Sequence, residues 1–221
     1  MSPETPHEPG QALHPATTKQ PRHMESGLFD HSTRAALPGN LTPSRERFMY
    51  YHGIGNWLGS LFPPKAKDWP IVGKGVTTWL FTKEHLALGC LNPAMILDAK
   101  KGLVAVFTNL NASGERSVPV IQIYSERIDL IPGKVRKGDL FATACVYLQS
   151  HESRAKGQWC GIDPIIVDCL VTDRNACRDA AARISPLAWQ ALEIGLSQVP
   201  DLTTMDIHYV DVPHDIVWNA Y

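Results

Sequence analysis

The stretch DIHYVDVPHD, residues 206–215, gathers two imidazoles and three carboxylates. Read as a strand, it places Asp206 and His208 two residues apart on one face, with Asp211, His214 and Asp215 following on a turn. Oxygen and imidazole ligands so arranged suit Zn²⁺ or Mn²⁺, or a general acid and base. The competing reading is a half-buried edge strand in which Met205, Ile207 and Tyr209 face the core while Asp206 and His208 face water.

Cysteine offers a second chemistry. A nucleophilic thiolate needs an imidazole beside it, and the candidates are Cys160 or Cys145 with His151. Cys145 alternates with Phe141, Thr143 and Tyr147 in an apolar run, Cys169 sits in IIVDCLV, and Cys177 shares a helical face with Ala180, Ala181 and Ile184. These three read as small buried hydrophobes. Cys160, in a polar loop beside Trp159 and Gly161, is the accessible one. Zinc held through cysteine is excluded, because the close ligand pairs of structural zinc sites are missing. Glu84-His85 and His151-Glu152 read as solvated turns.

The third candidate is HGIGNWLGSLFPPK, residues 52–65, with glycines at 53, 55 and 59. A dinucleotide loop needs GxGxxG after a buried strand and before a helix, so that N–H groups at the helix start reach the pyrophosphate. Here the spacing is GxGxxxG, the preceding RERFMYYH is polar-flanked, and no Gly-Lys-Ser/Thr follows. The segment reads instead as an apolar hinge, and no cofactor is implied. GxSxG and HExxH are absent as well.

The elements that would position these residues are mostly strands. KGVTTWLF and LALGCL, separated by TKEH, read as a hairpin. The runs AMILD, LVAVFTNL, VPVIQIYSERI, LFATACVYLQ and PIIVDCLV follow, joined by turns rich in Gly, Pro, Asn and Ser. Thr172 or Asp173 caps a helix through RNACRDAAARI. Ser185-Pro186 opens a second, with Trp189, Leu192, Leu196 and Val199 as its apolar stripe. The expectation is therefore α+β: an antiparallel β-sheet or small barrel of six to seven strands, with two C-terminal helices packed on it.

Around this domain, residues 1–45 hold seven of the 17 prolines and four of the nine histidines. That composition buries too little surface to offset the entropy of ordering, so a disordered tail is expected. Residues 46–67 read as a glycine- and aromatic-rich connecting segment, 68–200 as the globular α+β domain, and 201–221 as a terminal strand and tail.

Composition narrows function. At 221 residues and 44% hydrophobic content the chain can build a substantial core. A formal net charge of −1, without any basic block, argues against nucleic acid as a partner. No apolar run reaches the length of a membrane span. Five cysteines, an odd number and without a CxxC pair, point to reduced thiols and a cytoplasmic setting.

The pieces LNPAMILD, VRKGDLFATACVYL and SPLAWQALEIGL resemble a family of uncharacterised bacterial domains over roughly residues 75–200. The resemblance implies a compact bacterial domain and transfers no catalytic residue. The leading functional expectation is a non-enzymatic binding protein of accessory, adaptor or immunity type, with another protein as partner. Tyr51, Trp57, Leu58 and Phe62 are its candidate contact residues, because apolar and aromatic side chains in a glycine-rich segment suit an interface; the competing reading is that this segment docks across the domain's own sheet. A metal-dependent or cysteine-dependent hydrolase is the alternative.

Overall fold

The computed structural model describes residues 36–113 and 116–220. Among them the chain forms α1 (Arg45–His52), α2 (Ile54–Ser60), a 3₁₀ turn (Pro64–Asp68) and α3 (Gly73–Leu88). Strands β1 (Cys90–Asp98), β2 (Leu103–Asn109), β3 (Pro119–Ser125) and β4 (Leu140–Leu148) follow. Then come α4 (His151–Ala155), β5 (Gly161–Ile166), α5 (Val167–Leu170), α6 (Arg174–Arg183), α7 (Pro186–Leu196), β6 (Ile207–Tyr209) and α8 (His214–Trp218). The six strands make one sheet in the order β5-β4-β1-β2-β3-β6, with every neighbouring pair antiparallel. The fold is α+β, as the strand runs and helix caps predict.

The sheet curls into a half-barrel. Its concave face buries Ala94, Ile96, Val104, Val106, Val120, Cys145, Ile162 and Ile166. Curling brings β3 over β5, which stand four places apart in the sheet order. No ladder joins them. The Gln122 side chain does so instead: its amide N–H donates to the Ile162 carbonyl (2.9 Å) and its amide oxygen accepts from the Ile162 N–H (3.2 Å). Just past β3, Glu126 accepts N–H groups from Arg127 (2.7 Å) and Ile166 (3.1 Å).

Two helical layers cover the convex face. Helices α7 and α8 pack on Leu103, Ala105, Phe107, Ile121 and Ile123. Asp173 caps α6 through the Asn175 and Ala176 N–H groups, and Ser185 caps α7 with Pro186 in its first turn. Over β4 and β5 lies the N-terminal layer, where Leu41, Phe48, Trp79 and Leu86 meet Ala142, Ala144, Ile165 and Leu170.

Several sequence expectations change here. The expected hairpin over KGVTTWLF and LALGCL is the single 16-residue helix α3. Its buried positions (Gly75, Val76, Trp79, Thr82, His85 and Leu86) repeat with the helical period, although the β-branched run suggests a strand. Glu84-His85 consequently lies within a helix rather than a turn, and His85 is buried. The expected tail 1–45 falls largely on residues outside those described, but 36–45 belong to the fold. The Leu37 carbonyl accepts from the Leu91 N–H, Leu41 is buried, and Ser44 caps α1. Asn92 and Pro93 lie inside β1, which begins ahead of the expected run AMILD.

The glycines of HGIGNWLGSLF also find a use. Gly53 joins α1 to α2 at φ 86°, a conformation in which a Cβ is strained. At Gly59 a Cβ would lie 2.4 Å from the Gly75 Cα, so α2 and α3 touch backbone to backbone. The segment is a helical hairpin support, not a hinge. Gly59→Ala should therefore lower stability by about 1–3 kcal/mol through overpacking. Gly55→Ala, with open space around its site, should raise it by a few tenths to about 1 kcal/mol. Denaturant titration of the two variants checks the pair, and equal effects would contradict the close approach. Gln122→Ala should cost about 1–3 kcal/mol, since it leaves both Ile162 backbone groups without their partners.

Candidate docking surface

Helix α2 is amphipathic over a short span. Trp57 and Ser60 turn inward: Trp57 packs on the core beneath, and the Ser60 hydroxyl donates to the Trp57 carbonyl (2.7 Å). Ile54, Leu58 and Leu61, at i, i+4 and i+7, face out and are exposed. The apolar line continues through Phe62 and Trp69, whose rings meet edge to face at 5.9 Å, and reaches Ile71, which is 95% exposed. Backbone contact at Gly59 and Gly75 fixes α2 on α3 and so leaves this stripe outward.

Of the four contact residues expected from sequence, Leu58 and Phe62 lie on this face. Tyr51 and Trp57 are half-buried and pack against the core clusters. The sequence reading missed Trp69 and Ile71. The signal was the DWPIV turn, where a tryptophan and an isoleucine flank a proline that holds them out of regular structure.

Beneath the layer lies a polar junction. The His52 Nε2 is 3.1 Å from the Thr82 hydroxyl, and its ring contacts Phe48 and Tyr51. His85 Nε2 is 3.0 Å from the Ala144 carbonyl, and its Nδ1 is 3.9 Å from Asp163. The Tyr51 hydroxyl adjoins the buried Glu126 carboxylate. Burial, and then repulsion from His85, pushes the His52 imidazole down to about 4. Burial likewise lowers His85, against the pull of Asp163, and raises the Glu126 carboxyl.

The other candidates are dispersed. Cys160 is exposed, and its thiol donates to the Leu148 carbonyl (3.2 Å). His151, exposed at the start of α4, makes no hydrogen bond to it. Cys145, Cys169 and Cys177 are buried, and burial pushes the Cys145 and Cys177 thiols up to about 12. In the 206–215 stretch only three residues pair as a strand, β6 on β3. Asp206 is exposed and Ile207 packs half-buried on the core, as the alternation predicts, but Tyr209 and Met205 are exposed and His208 is half-buried, against it. Asp206 accepts from the Ile207 N–H, the Asp211 N–H donates to Gln198, and the His214 ring stacks on Trp218 at 5.3 Å. Among the described residues no group of three or more His, Cys, Asp or Glu side chains converges on a metal position.

The junction makes a signed prediction. A histidine held below its ordinary value is neutral in both states above about pH 6.5, so its contribution to stability is intact there. As pH falls from about 6.5 towards 4, only the unfolded chain takes up the proton, and stability is lost. Glu126, raised by burial, works in the opposite sense and offsets part of that loss. His52→Gln, which keeps a partner for Thr82 without the proton, should show a smaller drop in melting temperature between pH 7 and pH 5 than the wild type. Identical drops would contradict the lowered His52 value.

The comparisons bear on the domain beneath this face. No curated protein matches the chain. A crystal structure of "a putative membrane protein from Corynebacterium diphtheriae" is similar at 19% identity and a TM-score of 0.45, covering 54% of this chain and 99% of that one. The family model described as "Protein of unknown function (DUF3239)" matches residues 81–200, from the second half of α3 to just past α7. This is nearly the 75–200 stretch in which the sequence resembles a family of uncharacterised domains. The match covers more than half of the chain and takes in five of the six strands; the chain belongs to the DUF3239 family.

Proposed function

We propose that this protein acts by binding rather than catalysis, docking through the outer face of α2, the 3₁₀ turn and the start of α3. One observation carries the reading: Ile54, Leu58, Leu61, Phe62, Trp69 and Ile71 stand exposed together on a layer whose inward side is already filled by Phe48, Trp57 and Trp79. Of the other large exposed apolar side chains among the described residues, Tyr50 lies on α1 and Leu88 ends α3, and the rest are on β4, at β6 and on α8. Contiguous apolar surface on a folded domain marks a place where something is seated. The reading is that of an accessory or adaptor protein whose half-barrel is a rigid platform for this face. Half-buried Tyr51 and Trp57 support it from below.

Photo-crosslinking residues introduced singly at positions 58, 71 and 179 of the full chain test this in cells. Asp179 is exposed on α6, far along the chain from the face, and serves as the control. Adducts, to protein or to lipid, are expected at 58 and 71 and not at 179. Equal labelling at all three positions would sink the docking reading.

A further inference from the structure

Resting on that docking reading, we propose that the partner is an anionic lipid bilayer, on whose surface the α2 face lies flat. The charges around the stripe carry the argument. Lys65, Lys67 and Lys74 are exposed and, among the described residues, form no ion pair. Between residues 53 and 80 the only acid is Asp68. The whole chain is slightly acidic, so this local excess of cations is a property of the face and not of the protein.

A protein interface of this size would deplete lysine near its apolar centre, since each ammonium must be desolvated there. A headgroup layer favours the opposite arrangement. Apolar tips enter the acyl boundary, a tryptophan sits at the interface level, and lysines at the margin meet lipid phosphates. Trp69 is half exposed, Ile71 protrudes almost fully, and Lys65 and Lys67 on the 3₁₀ turn and Lys74 at the start of α3 bracket them along the chain. Pro63, Pro64 and Pro70 stiffen that turn, so little chain entropy is lost on docking. Helix α2 is seven residues long, and among the described residues no helix is long and apolar enough to cross a membrane. The geometry is therefore that of an element lying on a bilayer.

Sedimentation of the full chain with phosphatidylcholine vesicles, with and without phosphatidylglycerol, tests the assignment. Binding is expected to the phosphatidylglycerol vesicles, and to weaken as salt is raised. Leu58→Ser with Ile71→Ser should lose at least about tenfold in vesicle affinity, since two apolar side chains no longer leave water. Both sites are exposed, so the melting temperature should hold, which circular dichroism checks. Lys65→Gln, Lys67→Gln and Lys74→Gln should each cost about fivefold on anionic vesicles and little on neutral ones. Absence of vesicle binding by the wild type, or binding indifferent to the Leu58/Ile71 pair, overturns the lipid assignment. If that pair instead abolishes a concentration-dependent dimer, or protein adducts alone form at 58 and 71, the face seats a protein: the lipid assignment fails and the docking reading stands. With neither vesicle binding nor selective crosslinking, both fall.

Discussion

A curled sheet that stops short of closing must deal with the backbone groups along its last strand. In this chain the answer is two side chains, Gln122 and Glu126, which present to β5 the donors and acceptors that a further strand would otherwise supply. The amide of Gln122 matches a peptide group in having one acceptor and a donor, so it satisfies both the N–H and the C=O of Ile162. Glu126 has only acceptors and takes the Ile166 N–H where β5 ends. Without these contacts the end of β5 would present unpaired edge groups, and the path from β5 into α5 would lose its fixed start. That path matters because the Leu170 carbonyl, at the end of α5, accepts the N–H of Ser44, the residue that caps α1.

The N-terminal layer is thus set on the closure in two ways, through Leu170 to Ser44 and through Glu126 to Tyr51. Its interface with the half-barrel is mixed. Phe48, Trp79 and Leu86 supply apolar area and His85–Ala144 supplies direction, while His52–Thr82 ties α1 to α3 within the layer. Apolar packing alone tolerates rotation of a helix about its axis, whereas buried polar groups must find their partners or remain unpaired at real cost. The polar pairs therefore fix which side of α1 and α3 faces inward, and the Gly59–Gly75 contact carries α2 with them. By exclusion they also fix which side stays out.

Most strands of the half-barrel were legible because their apolar runs are bounded by Gly, Pro and Asn turns, although the run PIIVDCLV splits after Ile166 into β5 and α5; Thr172-Asp173 and Ser185-Pro186 announce the helices that follow. Helix α3 was not, for a local reason: Val76, Thr77, Thr78 and Trp79 are strand-favouring types, and two of its inward positions, Thr82 and His85, are polar and so hide the helical period. Gly59 and Gly75 could not be matched in sequence, since they lie on different helices and only the fold brings them together. The exposed apolar face of α2 was half visible for the same reason. Leu58 and Phe62 stand out as apolar residues among glycines, but whether a side chain points out depends on the α2–α3 contact. The closure by Gln122 left no mark, because one glutamine in an apolar strand looks like an ordinary interruption.

The position of the N-terminal layer has a consequence for synthesis. Leu41, Phe48 and Trp79 leave the ribosome well before Ala144, Ile165 and Leu170, against which they pack, with roughly 100 residues separating Phe48 from its partners in β4 and α5. For the several seconds that such a length takes to make, α1 to α3 have an apolar inner side as well as an apolar outer one, and nothing of their own to rest on. The layer made first is the layer seated last. During that interval a nascent chain of this protein offers its surroundings two greasy helical faces, of which the finished molecule keeps one.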